Sequence, residues 1–263
     1  MKLNDIIVQH HGSVPVKLSQ RLKNDVENPI VSYKGGVEQP EALTALAEVA
    51  RRSTRYYGGD KPYRVYRIPE MADLNPELHR IIKSSELISV KGGAGRNVCL
   101  DQCDHISLKV LLKMIDILTP IAARDIAKAL TQNLDSAVRP GGPYRFKIME
   151  YWGVNYQKGQ GIMPHTHWPM TLSFTYYVKT PKGCSPLLMD TGFQDDNIYD
   201  ELQLKECDLV FFTSNLFHSI RPEPIGDRSI IAGNLMYYDN GPEEGDPDYK
   251  TMADYANMNQ QNM

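Results

Sequence analysis

The chain has 263 residues, of which 41% are hydrophobic and 23% charged, a balance typical of folded globular proteins and not of disordered ones. Its formal net charge of -3 gives no electrostatic reason to expect nucleic acid as a partner. It shows no apolar run near the ~20 residues that span a bilayer and no apolar core of a signal peptide. Four cysteines do not make a disulfide framework, so we expect a cytoplasmic protein that does not contact membranes.

The first part of the chain, residues 1–138, is predicted to consist of helices and loops. Leucine and alanine at helical spacing predict a helix within residues 39–53. Asn75 before Pro76 indicates the capped start of a second helix.

A third helix is predicted over residues 107–118, where leucine and isoleucine fall on one stripe. Thr119 and Pro120 are typical of a stop followed by a new start, so a separate helix is predicted over 120–134. Each of these helices would bury an apolar face, so another layer must lie beneath them.

From residue 139 the pattern changes to short segments rich in Val, Ile, Tyr and Phe, separated by Gly, Pro, Asn and Asp. The segments predicted to be strands are 144–156, 170–180, 185–190, 208–214 and 228–238. Helices followed by such strands favour a mainly β architecture with flanking helices (α+β), a sandwich or barrel in which residues 139–240 and the helices form one compact unit. The acidic stretch 241–263 is predicted to be a flexible tail.

The sequence NYQKGQGIMPHTHW places His165 and His167 one residue apart. On a strand, residues two apart point to the same face, so this spacing aims both imidazoles at one point, as a pair of metal ligands requires. A polar strand face or an interface contact is the simpler explanation of the bare pair.

His218 follows an apolar strand, and Arg228 comes ten residues later at the start of another. A buried guanidinium needs an anion. Asp227 or Glu223 could supply it as a salt bridge, so the spacing alone leaves a structural and a ligand-binding role open.

Together these features resemble the Fe(II)/2-oxoglutarate-dependent oxygenase superfamily, in particular its prolyl-hydroxylase-like branch. The superfamily has a motif H-x-D/E … H with an Arg or Lys about ten residues after the distal His, and the branch often has Tyr, a Gly-Gln turn and Pro-His-Thr-Asp. The matching residues are Tyr156, Gly159-Gln160 and Pro164-His165-Thr166. His167 stands where the carboxylate is expected.

The chain is also similar to a set of the same superfamily from bacterial and phage genomes, in which H-x-H-P, S-x-x-Y-Y and a late R … N recur. Those patterns are approximated here by His165/His167, Ser173/Tyr177 and Arg228/Asn234. The resemblance covers residues 144–238 and implies a double-stranded β-helix (jelly-roll) core.

The resemblance implies that His165, His167 and His218 are the catalytic residues and hold Fe(II). It also implies that Arg228 binds the far carboxylate of the co-substrate 2-oxoglutarate in a bidentate pair. Tyr156 would hydrogen-bond the same carboxylate, and the set of cofactor-binding residues is completed by Tyr177 and Asn234. The implied activity is hydroxylation of a small-molecule or peptidyl substrate, with succinate and CO2 as products.

His167 leaves the third ligand open. Three alternatives follow. In the first, His167 binds the metal and leaves the site more positive by one charge. In the second, a carboxylate such as Asp190 binds instead, and in the third the metal is lost and the fold serves as a binding or virion-associated module. A three-histidine face also suits cupin-type dioxygenases, which bind substrate directly to iron without 2-oxoglutarate.

Two other features have simpler explanations. Cys99, Cys103 and His105 lack a second pair at zinc-finger spacing, so a buried thiol and a helix cap are predicted. The glycine-rich residues 91–97 lack the Gly-Lys-Ser/Thr end of a phosphate loop, which favours a flexible loop at the mouth of a cleft. Trp168 is expected to line the pocket with Tyr177 and Asn234.

Overall fold

The computed structural model describes residues 54–55, 61–85, 96–100, 103–130, 145–191 and 199–238. The helix predicted within 39–53 and the tail 241–263 lie outside these residues. The strands are β1 (Thr54–Arg55), β2 (Tyr63–Arg67), β3 (Arg96–Cys99), β4 (Arg145–Tyr156), β5 (Ile162–His165), β6 (Leu172–Lys179), β7 (Leu187–Asp190), β8 (Tyr199–Leu202), β9 (Asp208–Thr213), β10 (His218–Ile220) and β11 (Arg228–Tyr238). The helices are a 3-10 helix (Pro69–Leu74), α1 (Asn75–Ser84) and α2 (Ile106–Leu130).

The strands form two antiparallel sheets. The larger sheet has seven strands in the order β1-β2-β9-β6-β11-β4-β3, and the smaller has four in the order β5-β10-β7-β8. From β4 to β11 every connection except β7–β8 crosses from one sheet to the other, which is the winding of a double-stranded β-helix. The predicted mainly β fold with a jelly-roll core is therefore confirmed by the strand order.

Three short strands extend the larger sheet at its two ends. β1 and β2 add to β9, and β3 adds to β4. These strands come from the part of the chain that was predicted to hold only helices and loops. The five-residue β2, YRVYR, breaks the polar-apolar alternation at Val65-Tyr66, so its strand signal is weak before its neighbours are known. The domain boundaries remain a prediction.

The apolar interior divides into two clusters on opposite faces of the larger sheet. The outer cluster joins the helices to the sheet and includes Leu78, Ile82, Leu111, Ile115, Leu118, Phe174, Tyr176 and Ile231. The inner cluster lies between the sheets and includes Tyr63, Val154, Tyr177, Val210 and Ile230. Because side chains alternate along a strand, β6 sends Tyr176 outward and Tyr177 inward. Among the described residues, no helix has the length and apolar character needed to span a bilayer.

Helix α2 corrects the predicted break at Thr119 and Pro120. The helix is continuous from Ile106 to Leu130, with Pro120 inside it, and the Thr119 hydroxyl donates to Ile115 O at 2.7 Å. A proline inside a helix costs about 3 kcal/mol. Burial of the stripe on both sides of the proline offsets this loss, because Leu118 and Ala122 are both fully buried.

Asn75 begins α1 as predicted but does not cap it. The residue before it, Leu74, holds the capping position, and it makes no side-chain hydrogen bond there. The Asn75 amide instead accepts from the Tyr176 hydroxyl at 2.8 Å and donates to Cys207 Sγ at 3.4 Å. The side chain therefore fixes α1 to the sheet, since a buried amide must find partners.

Candidate metal centre

Three histidines meet at the wall of the cavity between the two sheets. His165 ends β5 and His218 begins β10, and the two residues are direct partners in the antiparallel pairing. The ring of His167 lies 5.0 Å, centroid to centroid, from the ring of His165 and from that of His218. One nitrogen from each ring lies within 4.8 Å of the others.

His167 reaches the cluster from a loop and not from a strand. β5 ends at His165, so the alternation of strand side chains does not place the second imidazole. The His167 amide donates to Ser214 O at 2.7 Å, which ties this loop to the turn after β9. The two imidazoles converge through that anchor, which depends on contacts far along the chain.

Hydrogen bonds to backbone carbonyls orient two of the rings. His165 Nδ1 lies 2.9 Å from Met163 O, and His218 Nδ1 lies 3.0 Å from Leu216 O. A carbonyl only accepts, so each Nδ1 carries the proton and each Nε2 presents a lone pair. The Nε2 atoms of His218 and His167 are 3.2 Å apart, close to the separation of about 3 Å between two nitrogens bound at right angles to a metal ~2.1 Å away.

The buried imidazoles are neutral at physiological pH. Burial lowers the pKa of His218 to about 3, and the neighbouring histidines lower it further in the same direction. Burial, with the nearby His165, lowers the pKa of His167 to about 4. A metal ligand must be unprotonated, so neither ring has to lose the second proton of its charged form before it binds a cation.

Among the described residues, the cluster contains no carboxylate. Asp190 ends β7, where its amide donates to Phe217 O at 2.9 Å, and it lies outside the cluster. Imidazole ligands suit first-row transition metals, including iron, zinc and copper. The donor set therefore fits a divalent transition metal, with His167 in the third position.

Gly161 holds β5 against β10 next to the histidines. A Cβ atom at Gly161 would lie 2.4 Å from Ile220 O, a backbone atom. Gly161→Ala must therefore push β5 away from β10 and separate His165 from His218. We expect a loss of about 1–3 kcal/mol in the free energy of unfolding and at least tenfold weaker Mn(II) binding, measured by calorimetric titration.

Gly183→Ala is the matched control for this effect. Gly183 has φ +90°, so alanine strains its turn, but the nearest side-chain atom to a new Cβ is 3.7 Å away, on Ile225. We expect this variant to lose stability and keep its Mn(II) affinity. Unchanged Mn(II) binding in Gly161→Ala would show that the strand spacing does not position the histidines.

A cavity of about 550 Å³ adjoins the histidines. β4 supplies every second residue of one wall, and β11 supplies the partners of all of these but Tyr156. These residues are Glu150, Trp152, Val154 and Tyr156 on β4, and Ile230, Ala232 and Asn234 on β11. The wall is mainly apolar with a few polar groups, which is the character of a small-molecule site.

Asn234 links His167 to a carboxylate. Its Nδ2 donates to Glu150 Oε1 at 2.6 Å and lies 3.4 Å from His167 Nδ1. Its Oδ1 accepts from the Ser173 hydroxyl at 2.7 Å. Asn234 was expected beside the co-substrate, and the structure places it on the cavity wall against the His167 ring.

Glu150 is a site residue that the sequence reasoning missed. It brings a carboxylate into the cavity wall, although the cluster of three histidines contains none. The signal was present in the strand pattern, since Glu150 shares the alternate positions of Trp152, Val154 and Tyr156. Without the register to Asn234, however, that pattern did not show what the carboxylate contacts.

Arg228 is fully buried at the start of β11, where its Nη groups bond to the protein. Its Nη1 lies 2.5 Å from Glu223 Oε1 and donates to Ser185 O at 2.8 Å. Its Nη2 donates to the Tyr177 hydroxyl at 2.9 Å. Of the two carboxylates considered as salt-bridge partners, Glu223 is the one that pairs with Arg228, while Asp227 binds surface lysines.

Two tyrosine rings contact the Arg228 guanidinium. Its central carbon lies 4.9 Å from the ring centroid of Tyr177 and 5.8 Å from that of Tyr156. Both tyrosines line the cavity and Arg228 does not, so the guanidinium lies one layer behind the phenols. Burial raises the pKa of both phenols, which keeps them protonated at neutral pH.

The remaining predicted residues lie away from the centre. Trp168 was expected in the pocket wall but is 71% exposed, because it follows His167 beyond the end of β5. Trp152 is the tryptophan that lines the cavity, with its ring centroid 5.7 Å from that of His167. His105 Nε2 contacts Glu77 Oε1 at 2.8 Å, and its Nδ1 accepts from the Ser107 amide at the start of α2.

Fold and site together define a jelly-roll protein with a three-histidine candidate metal centre beside an internal cavity. No protein-family model and no curated protein sequence matches the chain.

Several solved structures are similar in fold. A prolyl hydroxylase from Trichoplax adhaerens, in complex with a hypoxia inducible factor peptide fragment, is 13% identical with a TM-score of 0.49, over 78% of this chain and 95% of that one. A prolyl-4-hydroxylase from Pseudomonas putida is 16% identical with a TM-score of 0.45, over 74% and 98%. An oxidoreductase of the 2OG-Fe(II) oxygenase family from Burkholderia pseudomallei is 10% identical with a TM-score of 0.45, over 77% and 91%.

Proposed function

We propose that the protein is an Fe(II)- and 2-oxoglutarate-dependent dioxygenase that hydroxylates a small-molecule or peptidyl substrate. The observation that carries the proposal is the cluster of His165, His167 and His218 beside a cavity of about 550 Å³ inside a jelly roll. Three ligands on one face of the metal leave its other positions free for further ligands. When bound, iron and the 2-oxo acid supply the oxidising chemistry, while the chain binds, orients and excludes water.

Different residues in and behind the cavity wall bind the co-substrate, position His167 and exclude water. Tyr156 and Tyr177 present neutral phenols to a bound co-substrate, and Arg228 behind them is the proposed partner of its far carboxylate. Asn234 and Glu150 act on the opposite side of the centre, where they hold the His167 ring in place. Apolar side chains fill most of the wall and keep water from the metal.

Succinate formation tests the proposal. Protein loaded with Fe(II) under anaerobic conditions is mixed with 2-oxoglutarate and then with O2, and succinate is measured by mass spectrometry. We expect succinate to form only when the metal, the 2-oxo acid and O2 are all present. Protein that has bound one Fe(II) per chain and yields no succinate would contradict the use of 2-oxoglutarate.

One observation favours a second candidate, a three-histidine dioxygenase of cupin type that needs no 2-oxo acid. Arg228 is paired with Glu223 and lies behind the phenol rings, so a carboxylate in the cavity does not meet a free guanidinium. O2 uptake that continues without 2-oxoglutarate, measured with an oxygen electrode over a panel of small aromatic and thiol compounds, would identify this candidate.

A further inference from the structure

The carboxylate of Glu223 is built into the fold. Its side chain is 0% exposed, as against 1% for the side chain of Arg228. Its Oε1 pairs with the guanidinium, and its Oε2 accepts from the Ser185 amide at 3.0 Å. The backbone is held as firmly, because the Glu223 amide donates to Gln160 O and the Gly159 amide donates to Glu223 O, each at 2.7 Å.

This pairing cancels the charge of the only guanidinium next to the two cavity tyrosines among the described residues. The phenols on its other side are neutral, because burial raises the pKa of both. Arg228 Nε is buried and has no hydrogen-bond partner, so the protein does not use every donor of the guanidinium. An anion that reaches Arg228 must therefore compete with Glu223 for the charge.

We infer that Glu223 determines the co-substrate specificity of this site, because its carboxylate occupies the anion position at Arg228 that a dicarboxylic 2-oxo acid would take. The inference rests on the proposed function. A far carboxylate gains an ion pair with Arg228 only when Glu223 gives one up and is left buried without a cation, so the exchange gives no net gain. A 2-oxo acid without that carboxylate meets Tyr156, Tyr177 and the apolar wall and leaves the buried pair intact.

Two ligands of equal chain length test the inference. Binding of 2-oxoglutarate and of 2-oxopentanoate, which lacks the far carboxylate, is measured by calorimetry on Mn(II)-loaded protein without O2. We expect the wild type to bind 2-oxoglutarate no more tightly than 2-oxopentanoate. In Glu223→Gln, which keeps the side-chain shape and removes the charge, we expect 2-oxoglutarate to bind at least about tenfold more tightly than 2-oxopentanoate, since its charge-assisted contact is no longer offset.

Glu201→Gln is the matched control, because it removes a carboxylate from an exposed ion pair with Arg221 and is expected to leave both affinities unchanged. A wild-type preference for 2-oxoglutarate of tenfold or more would overturn the inference and leave the proposed function standing. An affinity ratio that is the same in Glu223→Gln as in the wild type would overturn it as well.

Two further outcomes are also decisive. If Glu223→Gln does not fold, the wild-type ratio decides alone: a preference for 2-oxoglutarate of tenfold or more overturns the inference, and any smaller ratio supports it. If Mn(II) binds but neither 2-oxo acid binds to wild type or variant, the co-substrate of the proposed function is wrong and the inference fails with it.

Discussion

We expect His218→Ala to abolish binding of Fe(II), while the wild type is expected to bind one ion per chain. His218 is the most central of the three histidines, since it pairs with His165 across the strands and its Nε2 lies 3.2 Å from that of His167. Loss of residues that only support a ligand already weakens metal binding by about 10–100-fold, so loss of the ligand itself is expected to exceed about 100-fold. Anaerobic titration followed by metal analysis of the desalted protein measures the effect.

His105→Ala is the matched control for this result. His105 is a partly exposed histidine that contacts Glu77 and the start of α2, far along the chain from β5 and β10. We expect this variant to bind Fe(II) with wild-type stoichiometry and affinity. If His218→Ala retained wild-type affinity, the three histidines would be a packed polar cluster and the metal-dependent proposals would be wrong.

The strands of the core were predictable because their signals are local. Residues 144–156 and 228–238 are rich in aromatic and β-branched side chains and are bounded by turn residues, which favours strands wherever they pair. The structure forms β4 and β11 at nearly the same bounds. The pairing of these strands, which sets Arg228 opposite Tyr156, is a property of the whole fold and not of either segment.

The break predicted at Pro120 shows where local signals lose to packing. Thr119 and Pro120 have the local character of a helix boundary, yet one helix runs through both. The apolar stripe continues past the proline to Ala122 and Ile126, both buried against the sheet. Tertiary burial overrides propensity here, and the size of that burial cannot be read from the segment alone.

The three histidines of the candidate site could be picked out from the sequence, and the residues around them could not. The spacing of His165, His167 and His218 carried chemical information because few residue types bind metals. The positions of Glu150 and Glu223 in the sequence carried no such information, because carboxylates are common and their partners are set by strand register and loop structure. The same sequence therefore indicated a metal site and left open which anion pairs with Arg228.

The carboxylates of Glu150 and Glu223 together set the net charge around the histidine cluster. Three neutral imidazoles leave a divalent metal without an anionic ligand. Glu150 places a negative charge close to His167, with only Asn234 between them, because Asn234 bonds to Glu150 and touches the His167 ring. Glu223 acts on the other side of the cavity, where it cancels the charge of Arg228. Glu150 would thus supply negative charge near a bound metal, while the neutralised Arg228 would not oppose the cation.

Arg228→Met is expected to lower the free energy of unfolding of the metal-free protein by about 3–5 kcal/mol, because it leaves Glu223 buried without a cation. Glu223→Gln leaves the opposite charge unpaired and is expected to have a similar effect. The double variant removes both charges, and replacing a buried pair with uncharged residues of similar volume is often close to neutral. We expect the double variant to recover most of the loss, as measured by urea denaturation.

The exposed pair of Arg221 and Glu201 is the control for this cycle. Their side chains are 57% and 48% exposed, and such pairs contribute about 0–1 kcal/mol, so Arg221→Met and Glu201→Gln should have small, additive effects. The bonds from Arg228 to Ser185 and Tyr177 are lost both in Arg228→Met and in the double variant, so they cancel in the coupling energy. If the Arg228 and Glu223 effects were additive as well, Glu223 would not be the main partner of the guanidinium. Arg228 would then be open to the far carboxylate of a co-substrate, as the sequence resemblance first implied.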